Sequence, residues 1–161
     1  MIRPATPADA DAICAIWNPV IRDSVATFNS AEKTPDDIRA LIAAKAADGH
    51  AIFVAETGGR LTGFALYGQF RGGVGYRHTG EHTIIVAPDA QGQGTGRALL
   101  TAIEDHARAA RYHSLFAGVS AENAPGIAFH ARMGYAEVAR LSEVGRKFDR
   151  WFDLVLMQKR L

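Results

Sequence analysis

Cysteine is almost missing from this 161-residue chain: Cys14 stands alone, so no internal disulfide can form, and its place in an apolar helical stripe reads as a buried, inert thiol. No apolar run approaches the length of a membrane span, and Met1-Ile2-Arg3-Pro4 leads into a folded pattern with no apolar leader. A cytoplasmic protein is the expectation. An excess of one charge is lacking too, with 18 Lys and Arg against 17 Asp and Glu, so neither nucleic acid nor a membrane surface is implied as a partner. His50, His106 and His113 show no ligand spacing to acidic or thiol residues, and no metal is assigned. Repeats, linkers and low-complexity stretches are absent. What remains, 48% hydrophobic and 22% charged residues, is the composition of one folded domain covering residues 1–161.

The most informative stretch runs from Glu81 to Arg97. His82 to Val86 is a β-branched apolar run that ends at Pro88-Asp89, since proline cannot donate to a sheet ladder. Gly92, Gly94 and Gly96 then alternate, and Leu99, Leu100, Ile103, Ala107 and Ala110 follow at helical spacing. Strand, glycine loop and helix start together make a place where backbone can approach an anion, favoured by the free N–H groups and dipole of the first helical turn. A phosphate or pyrophosphate cradle is the physical reading. It is not a Walker A loop, because Gly94-Thr95-Gly96-Arg97 lacks the lysine and hydroxyl that reach phosphate and magnesium. Nor is it a dinucleotide fingerprint, because Arg97 stands where the third glycine belongs and no acidic residue follows near Tyr112.

The rest of the chain supplies elements in a definite order. Ile2-Arg3 reads as a short strand, and Thr6-Pro7-Ala8-Asp9 and Thr34-Pro35-Asp36-Asp37 as two helix starts. The first helix carries the stripe Ile13, Ile16 and Trp17, and the second is expected to bury Ile38, Leu41, Ile42 and Ala46. Between them, Thr27, Phe28 and Asn29 form either a packed connection or part of a substrate pocket. Ala51–Glu56 and Leu61–Gly68 read as a hairpin about Thr57-Gly58-Gly59-Arg60. Gln69–Gly80 is then a long loop, of the kind that often carries function, leading to a strand from about Glu81. Within it, Arg71, Tyr76 and His78 are candidates for holding a substrate carboxylate, for which arginine offers a bidentate fork. After the helix that starts near Gly96, Leu115–Val119 reads as a parallel strand reached by a crossover, Asn123 as the N-cap of a short helix, and Tyr135–Leu141 with Trp151–Met157 as a closing hairpin. The order predicts an α/β (α+β) three-layer domain with helices on both faces of a mixed sheet.

Two motifs now carry a family resemblance. Gln91-Gly92-Gln93-Gly94-Thr95-Gly96 resembles the coenzyme A pyrophosphate loop of the GNAT superfamily of N-acetyltransferases, in which Gln or Arg is followed three residues later by Gly-x-Gly or Gly-x-Ala. Asn123 to Tyr135, reading NAPGIAFHARMGY, is similar to a segment of the phosphinothricin and methionine sulfoximine acetyltransferase branch. Tyr76–Val86, Gly145-Arg146-Lys147 and Trp151-Phe152-Asp153 resemble further blocks of that branch, and most of the chain matches. Two positions depart from it: Ala131 stands where glutamate is common, and the loop Arg71-Gly72-Gly73-Val74-Gly75 is richer in glycine.

The resemblance implies a GNAT-type fold, mostly antiparallel with a splayed central parallel pair, and transfer of acetyl from acetyl-CoA to a small amino-acid-like amine such as phosphinothricin, methionine sulfoximine or methionine sulfone. It implies a homodimer as well. An amine is protonated at neutral pH and needs a base before it can attack a thioester. The family's glutamate falls on Glu81. Its histidine falls on His130, which either protonates the departing thiolate or shapes the pocket. The backbone of Ile84, Ile85 and Val86 would meet the pantetheine arm and the oxyanion, and the loop Gln91, Gly92, Gln93, Gly94, Thr95, Gly96 and Arg97 would hold the pyrophosphate. Asn123 would bond the pantetheine and Arg132 a coenzyme phosphate. Two alternatives share most of these residues: a protein or peptide N-terminal acetyltransferase, and a non-catalytic acyl-CoA-binding sensor that needs no base.

Overall fold

Asp9 and Asp37 each reach back three residues to the N–H of a threonine, Thr6 at 2.7 Å and Thr34 at 2.8 Å, which meets the donor that each helix start would otherwise orphan. In the computed structural model, which describes residues 1–161, the first of these starts is a 3-10 turn leading into α1 (Ala10–Asp23) and the second opens α2 (Pro35–Ala47). Helix α2 buries less than its period suggests. Ile38 is buried and Leu41 and Ile42 are half-buried, but Ala46 is exposed, because α2 packs on α1 more than on the sheet.

Seven strands form one sheet in the order β1-β2-β3-β4-β5-β7-β6: β1 (Ile2–Pro4), β2 (Ile52–Thr57), β3 (Arg60–Gln69), β4 (Thr79–Val86), β5 (Ser114–Ser120), β6 (Ala136–Lys147) and β7 (Arg150–Arg160). Every neighbouring pair is antiparallel except β4 and β5, which are parallel and joined through α3 (Thr95–Ala109), as a strand-helix-strand crossover requires. The short helix α4 (Ala124–Arg132) follows β5. Strand β4 starts at Thr79, two residues before the start expected at about Glu81. The closing hairpin is also longer: β6 runs on to Lys147 through a register shift between Leu141 and Gly145, and its turn uses Phe148 and Asp149, both at positive φ.

Alternation along the strands divides the core in two. On one face Leu99, Leu100, Ile103 and Ala107 of α3 pack on Tyr67, Leu115, Val119, Val155 and Met157. On the other, Ile13, Cys14 and Ile38 pack on Val54, Leu61 and Phe64. At roughly 1.5–3 kcal/mol per buried large side chain, both faces contribute heavily to stability. The layered architecture is therefore the expected one.

The pairing of β4 with β5 is incomplete. Thr79–His82 pair with Ser114–Ala117, but beyond His82 the remaining β4 residues pair with β3 alone, and beyond Ala117 the remaining β5 residues pair with β7 alone. The two strands part at the centre of the sheet, and the site lies in that gap.

Candidate active site

The cradle is built by what its glycines permit. Gly92 and Gly94 hold φ of 74° and 86°, a region that costs an L side chain roughly 1–2 kcal/mol, and Gly94 is the N-cap of α3. Gly96 lets the helix lie against Phe129, whose ring would be 3.3 Å from a Cβ there. None of the backbone N–H groups from Gly92 to Arg97 donates to an acceptor within the protein. A run of free donors at the positive end of a helix fits a pyrophosphate. Gln93 turns back instead, donating from Nε2 to Asp89 O at 2.8 Å, and so braces the loop. Gln91 and Arg97 line the cleft with exposed side chains.

That cleft has a volume of about 580 Å³ and passes through the sheet where β4 and β5 part. Val20 and Ala26 line it from the α1 side, Phe129, His130 and Arg132 of α4 from the other, and Ile84, Ile85 and Val86 form its strand wall. Past His82 the edge of β4 that faces β5 has no strand partner, so an extended chain laid there could pair with it. Asn123 lines the cleft, and its Oδ1 accepts from Gly126 N at 3.0 Å, so it also caps α4. Thr95 opens α3 without lining the cleft.

Glu81 and His82 are adjacent on β4 and so face opposite ways. The Glu81 carboxylate is half-buried and has no hydrogen-bond or ion-pair partner; desolvation raises its pKa above the usual carboxylate range, toward that of a base useful near neutrality. Its Oε1 faces Gly118 of β5, where a Cβ would come within 2.9 Å, and Gly118 is exposed although β5 is an inner strand. Open space thus lies beside the carboxylate at the point where the strands part. No motif points to Gly118; the sequence marks it only as a glycine inside the apolar run Leu115–Val119.

His82 faces the other way, into the core against α4, with its Nε2 3.0 Å from Nε2 of His130. His130 Nδ1 lies 2.8 Å from Gly126 O, which can only accept, so Nδ1 carries the ring's proton and Nε2 accepts from His82. Burial holds both rings below the usual histidine range, His82 down to about 3. His130 therefore has no proton free for a leaving group, and it is not on Glu81's face. Of the two roles open to it, acid or pocket wall, the geometry supports the wall.

The substrate candidates separate. Arg71 is exposed, its guanidinium 5.6 Å over the Phe70 ring; Phe70 stacks at 4.4 Å on Phe116, the β5 partner of Glu81. Tyr76 is exposed in a short turn. His78 lies apart from the cleft: its Nδ1 donates to Arg111 O at 2.8 Å and its Nε2 accepts from Arg77, at the mouth of a second cavity. Phe28 lies 5.5 Å from the Phe152 ring, seated where Gly145 has no side chain, and does not line the cleft. Buried Lys147 donates to Ser24 O and Thr27 O at 2.6 and 2.9 Å, fixing the loop whose Ala26 lines the cleft. The Gly145-x-Lys147 motif thus clamps that loop.

Comparison with known proteins agrees with this geometry. The acetyltransferase (GNAT) domain family matches residues 2–156. Among curated relatives, the chain is 38% identical to the L-amino acid N-acyltransferase MnaT of Escherichia coli, over 99% of this chain and 93% of that protein. It is also 38% identical to the L-methionine sulfoximine/L-methionine sulfone acetyltransferase of Salmonella typhimurium, over 99% and 94%. Among solved structures, yncA of Salmonella typhimurium with its cofactor acetyl-CoA superposes with a TM-score of 0.96 at 37% identity, covering 100% of this chain and 93% of that one. A ribosomal-protein-alanine N-acetyltransferase of Brucella melitensis superposes at 0.97 with 40% identity, over 100% and 99%.

Proposed function

The chain belongs to the GNAT acetyltransferase family and is an acetyl-CoA-dependent N-acetyltransferase, and we propose that its acceptor is the α-amino group of a small amino acid of the methionine sulfone, methionine sulfoximine or phosphinothricin type, with Glu81 as the general base. The observation that carries the role of Glu81 is its unpaired, half-buried carboxylate beside Gly118, at the point where β4 and β5 part.

The free N–H groups from Gly92 to Arg97 hold the coenzyme pyrophosphate, Arg132 serves a further coenzyme phosphate, and the unpaired edge of Ile84–Val86 holds the pantetheine arm. Glu81 takes a proton from the incoming ammonium, directly or through one water, so that the nitrogen lone pair can attack the acetyl carbonyl carbon. A C–N bond forms, the C–S bond breaks, and the sulfur leaves as a thiolate that takes up the second proton the nitrogen sheds as it becomes an amide. A β4 backbone N–H near Ile84–Val86 faces the carbonyl oxygen as charge collects on it. Arg71 and Tyr76 receive the acceptor's carboxylate; the support is the path from Arg71 through Phe70 and Phe116 to Glu81. The enzyme acts in the cytoplasm, and it acts as a homodimer; the exposed Val138, Val144, Phe148 and Trp151 of the outermost hairpin support the dimer.

The Brucella melitensis structure favours a second reading, acetylation of a protein N-terminus. Release of free thiol from acetyl-CoA separates the two across methionine sulfone, methionine sulfoximine, phosphinothricin, the matching decarboxylated amines and an alanine-headed peptide. The amino acids should turn over and the amines barely, and Arg71→Ala should raise the KM for the acids alone. Preference for the peptide would establish the second reading; coenzyme binding without turnover of any amine would make the protein a sensor.

A further inference from the structure

At the other end of β4 from the glycine loop lies a second cavity of about 570 Å³, formed where the ends of α2, β3 and α3 meet the β3–β4 loop, and we infer that it is a binding site for a small oxyanion, a carboxylate or a phosphate, held by Lys45 and Arg77. This inference does not depend on the identity of the acceptor amine.

Lys45 is half-buried, and its ammonium sits on the bare face of Gly68, space that exists only because residue 68 has no Cβ. No carboxylate lies within ion-pair distance of it and no carbonyl accepts from it. A cation withdrawn from water without a partner is costly, and burial accordingly lowers the lysine pKa. Arg77 spends only its Nε, on His78 Nε2 at 3.0 Å, so its terminal N–H groups have no protein acceptor. His78 Nδ1 is held by Arg111 O, which sets its neutral tautomer and presents a fixed acceptor to that Nε. Asp48 is the one acidic side chain lining the cavity, and Tyr112 contributes a phenol already bonded to His50 at 2.7 Å. Two cations with unspent donors against one carboxylate make a lining suited to an oxyanion, whose paired oxygens can meet an ammonium and a guanidinium together.

The cavity also borders the catalytic strand. Gly68 is the Cα partner of Glu81, and Gly80 packs against Tyr112 and Leu115 closely enough that a Cβ would collide. An anion seated over Gly68 therefore lies one strand from the base.

The test uses the whole protein saturated with acetyl-CoA, so that the glycine loop is filled, at ionic strength held constant with chloride. Inorganic phosphate and acetate are titrated separately by calorimetry, with thermal unfolding as a second readout. At least one of them should bind saturably and raise Tm by about 3–6 °C at ten times its Kd. Binding by phosphate alone would make the ligand a phosphate-bearing molecule, and binding by acetate a carboxylate. Lys45→Met keeps the side-chain stem and should weaken that anion at least tenfold while the KM for acetyl-CoA stays put; Arg77→Gln should do likewise. Saturable binding by neither anion, or binding that survives Lys45→Met unchanged in a folded protein, overturns the site.

Discussion

The Nε2 atoms of His82 and His130 lie 3.0 Å apart beside the cleft, and the proton between them belongs to His82. Both rings are neutral in the folded protein, because burial depresses their pKa values, and His82, which also feels the charge His130 would carry, is lowered to about 3. The unfolded chain binds those protons near pH 6.5 and the folded chain does not. The contribution of His82 is therefore full above about pH 6.5 and is lost as pH drops toward 3, by about 1.4 kcal/mol per pH unit in that window, and His130 adds to the loss in the same direction. Urea unfolding at pH 7, 6 and 5 should show this slope. His82→Phe should lower stability at pH 7 by orphaning His130 Nε2, yet flatten the slope by about one proton. An unchanged slope would mean that the pair does not titrate as described.

Glu81→Gln keeps the size of the side chain and removes its basicity. Turnover should fall about a hundredfold or more, with acetyl-CoA affinity unchanged. Gly118→Ala should lower kcat too, because the new methyl would press on Glu81 Oε1, which stands 2.9 Å from where that carbon must go. If Glu81→Gln retains full activity at neutral pH, the proton goes to another group or to water.

Gly94→Val tests the cradle. The site has room for a Cβ, so the penalty is the positive φ of 86° and the projection of a branched side chain into the space the pyrophosphate needs. Calorimetry should show acetyl-CoA binding at least tenfold weaker, while circular dichroism shows the fold retained. Native affinity in the variant would sink the assignment of the loop.

Much of the fold can be read from local chemistry alone. The Thr-Pro-x-Asp starts of the N-terminal helices, the Gly58-Gly59 turn, the glycine loop before α3 and the Asn123 cap are each set by residues within one turn of one another, and each forms where it is expected. Glu81 could be matched to a family position for the same reason: its block is contiguous in sequence. Burial is less legible. Ala46 fits a helical stripe but meets nothing, because the period shows which residues share a face and not what covers that face.

Tertiary structure alone decided the rest. Glu81 and His130 read alike as catalytic side chains, yet the alternation of β4 and the placement of α4 set them on opposite faces of the sheet, and a hydrogen bond to Gly126 O takes the only proton His130 has. Phe28, in a loop without a period, is seated by Gly145, more than a hundred residues away, whose missing side chain receives its ring. Lys147 likewise acts through carbonyls of Ser24 and Thr27 that no local pattern connects to it. The parting of β4 from β5, on which the whole site depends, is a property of register between strands brought together by a crossover. Sequence determines which residues prefer helix, strand or turn because those preferences are local; which side chains meet across the sheet depends on contacts that exist only once the chain has closed on itself.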